Sequence, residues 1–184
     1  MKKLVVSVFF ILLAASVAAQ QKTFDIVTYH QPVGYTQSDD NGYVAFKKTD
    51  STQWVQMAIY KSGISQGDID SDLDKEWEAV ILALRTVQNE ENSKTDTLNS
   101  WLLKSRSAIW KYQGTDVLTT LTVFSNGSTY ISLFCSTNAQ NYLADFRKLV
   151  ASIKLNTPQS DGSRPSPSQP KSKTLKSSKQ TLNH

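Results

Sequence analysis

The sequence predicts an α+β fold: a central antiparallel β-sheet of about six strands with helices packed on both faces. Three observations carry this. Six β-rich segments are separated by turn-forming residues. Two further segments carry apolar residues at helical spacing. An Asn-Gly pair joins two β-rich runs that are apolar on both faces, and such a sheet has to be covered on both faces.

The first β-rich run covers 24–29 and stops at Gln31-Pro32-Val33-Gly34, where proline and glycine punctuate the chain. The second, 43–48, follows the turn-like Ser38-Asp39-Asp40-Asn41-Gly42. The third, 54–61, follows Asp50-Ser51-Thr52 and places Val55, Met57 and Ile59 on one face by its period of two. A helix comes next. Leu73, Trp77, Val80, Ile81 and Leu84 form its apolar stripe, and Ser71 with Asp74 resembles a capping box. It fades near Gln88, leaving 89–97 as a polar loop.

Strands then resume. Residues 104–112 carry Ala108, Trp110 and Tyr112 on one face. Residues 117–124 and 129–136 flank Ser125-Asn126-Gly127-Ser128, a hairpin signal because Asn and Gly both accept positive φ. Pairing across that turn sets Phe124 opposite Thr129 and Thr122 opposite Ile131; the other face pairs Val123 with Tyr130 and Leu121 with Ser132. The last helix has the stripe Tyr142, Phe146, Leu149, Val150 and Ile153, with Thr137 and Gln140 at its start, and ends near Leu155.

The chain divides into three parts. Residues 1–19 read as a signal peptide: Lys2 and Lys3, an apolar run from Leu4 to Ala15, then Val17 and Ala19 as small cleavage-site residues. Cleavage is expected between Ala19 and Gln20, with Gln20/Gln21 as second choice. The run is too short to span a bilayer, and the absence of cysteine near the cut excludes a bacterial lipid anchor. Residues 20–156 form one α+β domain. Residues 157–184 are rich in Ser, Pro, Lys, Gln and Thr and are expected to be a disordered basic tail.

The net charge of +4 belongs to the ends. Residues 20–155 hold 13 basic and 15 acidic side chains, net −2. The basic composition therefore does not argue for nucleic-acid binding. The tail suggests at most weak contact with anionic surfaces, or a plain linker.

Catalytic signals are thin. Gly63-Ile64-Ser65-Gln66-Gly67 matches the nucleophile-elbow pattern between a predicted strand and helix. The alternative reading is thus a serine hydrolase using Ser65. It lacks partners, because His30 precedes the serine and His184 ends the tail. Asp68, Asp70, Asp72 and Asp74 alternate like a calcium loop, but neither register supplies the glycine at six and glutamate at twelve. Acid at a helix N-terminus explains them, favoured by the helix dipole. Cys135 is the one cysteine, expected to be a buried core thiol. No metal set, phosphate loop or dinucleotide fingerprint is present. No cofactor is expected, and no catalytic role is assigned.

The aromatics offer the best binding candidates. Tyr35, Trp54, Tyr60, Trp77, Trp101, Trp110, Tyr112 and Tyr130 are many large rings for a small domain, and any that are exposed would line a groove or partner surface; Tyr35, Trp54, Tyr60, Trp101 and Trp110 are the candidates for it.

The order of elements carries a resemblance. An early strand ends at a proline and then Gly34-Tyr35; a middle strand runs into Lys61-Ser62-Gly63. An acid-led helix with Trp77 follows, then a strand pair with an Asn-Gly turn, then a closing helix with Phe146 and Ile153. Over 22–155 this resembles the PsbP-like α/β sandwich superfamily, in the form common in small exported bacterial proteins. The resemblance implies a central antiparallel sheet with helices on opposite faces. It also implies a mostly non-enzymatic role as an accessory or binding subunit, as in photosystem assembly, nuclear-transport GTPase binding or the bacterial envelope. It assigns no binding residue. The expectation is an exported non-catalytic module, periplasmic or secreted, that binds a partner protein or a small ligand.

Overall fold

The computed structural model describes residues 20–156; the expected signal peptide at 1–19 and the basic tail at 157–184 lie outside the described residues. The strands are β1 (Gln21–Phe24), β2 (Val27–His30), β3 (Thr36–Asp39), β4 (Tyr43–Asp50), β5 (Gln53–Tyr60) and β6 (Gly63–Ile64). Helix α1 (Ile69–Trp77) follows, extended by a π-helical turn at Glu78–Leu82. Then come β7 (Gln88–Asn92), β8 (Asp96–Leu98), β9 (Trp101–Tyr112), β10 (Thr115–Ser125) and β11 (Thr129–Thr137). A 3₁₀ turn at Gln140–Tyr142, α2 (Leu143–Ser152) and β12 (Lys154–Leu155) close the domain.

Nine strands form one antiparallel sheet in the order β3-β4-β5-β11-β10-β9-β7, with β6 on β11 and β8 on β9. A separate small sheet pairs β1, β2 and β12. Among the described residues the main sheet therefore holds nine strands where about six were expected, and the small sheet adds three. The missed ones are mostly short. Residues 89–97, expected as a loop, supply most of β7 and β8. β7 is exposed at every position, so its sequence has no apolar alternation to read. It is held through its backbone, with Glu91 opposite Ser107 and Asn92 opposite Arg106.

The sheet buries both faces at its centre. On one face Phe46, Met57, Phe124 and Leu133 pack in a single cluster with Phe146 and Leu149 of α2 and Val27 and Tyr29 of β2. On the other, Ala45, Ala58, Val123 and Phe134 cluster with Leu73 and Trp77 of α1 and with Ile81. Ala45 and Ala58 are direct cross-strand partners, and their small side chains leave room for the larger ones of α1. The expected sandwich of helical layers is thus corrected. α1 is only nine residues long, and on the other face α2 shares the covering with the small sheet.

Local details differ from the sequence reading for physical reasons. The β10–β11 hairpin pairs Phe124 with Ile131 and Thr122 with Leu133, two residues away from the expected register. The turn is longer than the Asn-Gly pair, because Asn126 Oδ1 accepts from both Ser128 N (2.9 Å) and Thr129 N (2.8 Å). A shift of two preserves the pleat, so every side chain keeps its face. The N-cap of α1 is Asp68, not Ser71: it is extended (φ −142°, ψ 155°) and its carboxylate accepts from Ser71 N at 2.8 Å. Thr137 does not cap α2. Its hydroxyl donates to Trp54 O at 2.7 Å and so ties β11 to β5.

Gly63 sits where a Cβ would lie 2.6 Å from the Tyr130 ring. Gly63→Ala is therefore expected to destabilise the fold by about 1–3 kcal/mol through overpacking, read as a lower urea midpoint at unchanged slope. Cys135 is buried as expected, and burial pushes its thiol from the ordinary 9.0 up to about 12. Burial, helped by Asp39, pushes Tyr29 from 10.0 up to about 12. The unfolded chain releases these protons first, so stability is full below about pH 9 and falls as pH rises toward about 12. Urea midpoints measured across that window should fall, and less so in Cys135→Val.

Candidate functional site

Three of the five aromatic candidates share the α1 side of the sheet. Trp54 and Tyr60 lie on β5 and Trp110 on β9; all three are half-buried. Tyr35 and Trp101 are instead buried in the α2-side cluster, 8% and 4% exposed. They are core residues, and Tyr35 OH is spent on Asp145 Oδ2 at 3.0 Å.

Sequence reasoning missed Arg85, which completes the face. After the π-helical turn, Leu84 N and Arg85 N both bond Ile81 O, and this brings the Arg85 side chain back over the sheet. The guanidinium carbon lies 4.9 Å from the Trp110 ring centroid and 5.5 Å from that of Phe134. Each such cation–π contact is worth about 0.5–2 kcal/mol, depending on desolvation. Burial lowers the Arg85 pKa, against an opposing contribution from Tyr60. Burial raises that of Tyr60, and here Arg85 opposes.

Tyr112 ends β9 beside the turn Gln113-Gly114, whose φ values of 49° and 81° make a tight hairpin loop. Its ring lies 6.1 Å from Trp54 and 5.8 Å from Trp110, both edge-on. The result is a depression of about 350 Å³ lined by Trp54, Gln56, Arg85, Trp110, Tyr112 and Ser136. Tyr112 in this lining is 47% exposed, and Leu84 (75% exposed) lines an adjoining depression with Arg85 and Trp110. Trp110 Nε1 is buried without a hydrogen-bond partner among the described residues. Arg85 was legible only as an isolated cation just past the apolar stripe.

The glycine–serine motif is accounted for by packing. Gly63 admits the Tyr130 ring, and Gly67 takes φ +102°. Ser65 Oγ donates to Asp72 Oδ2 at 2.6 Å and accepts from Gly67 N at 3.0 Å. Ser125 Oγ also donates to that oxygen at 2.6 Å, and Gln66 N donates to Asp72 Oδ1 at 2.7 Å. Asp72 is fully buried, and these three donors satisfy its carboxylate. Neither Ser65 nor Asp72 bonds a histidine; His30 instead lines a depression with Tyr35 and Asp145.

Three more acids of α1 are occupied too. Asp70 pairs with Lys104 and Asp74 with Arg106, which also lies over the Trp77 ring. Glu76 accepts from Tyr130 OH and Ser132 Oγ, both at 2.7 Å. No group of three or more metal-ligating side chains occurs among the described residues. No helix among them is long and apolar enough to cross a membrane.

Ser65→Ala should cost about 1–3 kcal/mol of stability, since a buried carboxylate loses a donor. Fluorophosphonate labelling should stay at background in wild type and variant alike; stoichiometric labelling of the wild type at Ser65 would overturn the packing account.

No known protein family matches the chain, and no curated protein matches it. Similar solved structures exist at low identity. A Bacteroides thetaiotaomicron crystal structure shares 11% identity at TM-score 0.49; the alignment spans 72% of this chain and 46% of that one. The Saccharomyces cerevisiae Ran-binding protein Mog1p shares 9% at TM-score 0.49, over 75% and 96%. LpqN, involved in cell envelope biogenesis of Mycobacterium tuberculosis, shares 6% at TM-score 0.47, over 78% and 88%.

Proposed function

We propose that this chain is an exported, non-catalytic binding module that docks a partner protein through the aromatic–arginine face on the α1 side of the sheet. One observation carries the reading. Trp54, Trp110 and Tyr112 line one depression with Arg85, and the exposed Leu84 lines an adjoining one with Arg85 and Trp110. Tryptophan, tyrosine and arginine are the residue types that dominate interface energetics, because they combine large apolar area with a polar handle. The Arg85 guanidinium spends one N–H on Val80 O and keeps others as donors, so the complementary surface is apolar with carbonyl or carboxylate acceptors.

The test uses a photocrosslinking residue in cells of the source organism. Leu84→benzoylphenylalanine and Tyr112→benzoylphenylalanine should capture the same protein. Val33→benzoylphenylalanine, exposed on the α2 side, should not. With that partner purified, Arg85→Ala and Tyr112→Ala should each weaken binding by about 1–3 kcal/mol. Crosslinks from Val33 but from neither Leu84 nor Tyr112 would sink the reading.

A further inference from the structure

The opposite face of the sheet carries a second site, independent of the aromatic cluster. Between α2 and strands β8 to β10 lies a groove of about 460 Å³, within the usual range for small-molecule sites. Its walls are apolar: Leu143, Phe146 and Val150 from α2, and Leu98, Leu103 and Leu118 from the strands. Its floor is polar. Ser105 is paired across the strands with Thr122, and Ser107 with Thr120. The hydroxyls within each pair lie 2.9 Å apart.

Two hydroxyls bonded to each other spend one hydrogen and keep the other. The four hydroxyls make no further side-chain hydrogen bond among the described residues, so the two rungs keep two donors and several lone pairs. A sheet floor meant only for packing under a helix would carry apolar side chains here, as the flanking rungs Leu103–Phe124 and Ile109–Leu118 do. At the rim stands Arg147, exposed and without an acidic partner among the described residues; neighbouring Asp145 is taken by Tyr35 and Lys148. Asp96 lies on the strand side, its Oδ1 accepting from Thr97 N at 2.7 Å.

We propose that this groove binds a small amphiphilic carboxylate of the N-acyl amino acid class. The carboxylate meets Arg147, whose guanidinium fork matches it. The amide meets the hydroxyl rungs, which both donate and accept as an amide requires. The acyl chain lies against the leucine and Val150 walls.

The test titrates N-octanoylglycine into the protein by calorimetry, alongside its methyl ester and octanoate. N-octanoylglycine should bind saturably at one per chain. The ester, lacking the charge, and octanoate, lacking the amide, should each bind about tenfold more weakly, a loss of about 1.4 kcal/mol. Arg147→Gln should erase the difference between acid and ester. Ser107→Ala with Thr120→Val should erase the difference between N-octanoylglycine and octanoate. Val150→Trp should block all three ligands, while Tyr112→Ala, on the other face, should change nothing. Absence of saturable binding at millimolar ligand overturns the proposal. So does binding that is unchanged in both Arg147→Gln and Val150→Trp.

Discussion

The structure depends on the burial of β10 and β11 on both faces. Every position of β11 after Thr129 is buried, and β10 is buried continuously from Leu121 to Ser125. A strand buried on both sides cannot stand at the surface of a two-layer fold. It forces material onto each face, and the two core clusters are the consequence. Each Leu, Ile or Phe so enclosed stabilises the fold by about 1.5–3 kcal/mol relative to exposure, which makes this pair of strands the main apolar reservoir of the domain. Everything else is arranged around who covers which side.

The α1 cover is short, and its acids compensate. Asp68 caps the helix, Asp70 and Asp74 reach Lys104 and Arg106 on β9, and Asp72 and Glu76 take hydroxyls from β10 and β11. Alternate residues on a helix fall 200° apart, so such a run cannot serve one ligand from one face. It serves instead to fix the helix from several directions. The contributions are unequal. The ion pairs have acids about two-thirds exposed and are worth a few tenths to about 1 kcal/mol each. Asp72, fully buried, is held by several bonds to one charge, and each of those matters more.

The two proposed binding faces arise where the covers stop short. Past α1, the sheet continues to Trp54, Trp110 and Tyr112, and Arg85 reaches back over it. Beside α2, the floor changes from leucine to serine and threonine, so the helix spans a gap rather than filling it. Both faces keep polar donors next to apolar area. That combination costs stability in an unliganded protein and yields selectivity when a complementary surface arrives.

The sequence by itself determined which segments are β-rich, which two are helical, and that the central hairpin buries both faces. Those properties live in side-chain periodicity, which local residues specify completely. It also singled out Trp54, Tyr60 and Trp110, because ring size is visible without coordinates. Only the tertiary structure decided that Tyr35 and Trp101 are core, since burial depends on which distant strand comes to lie alongside. It decided the short polar strands β7 and β8, whose pairing runs through backbone groups that every residue shares. It placed Arg85 against Trp110, 25 residues away in the chain, and set Ser105 and Ser107 opposite Thr122 and Thr120. The alternation of Ser-x-Ser and Thr-x-Thr was legible. Its meaning was not, because a hydroxyl facing solvent and a hydroxyl facing a groove read the same until α2 is seen to pass above it.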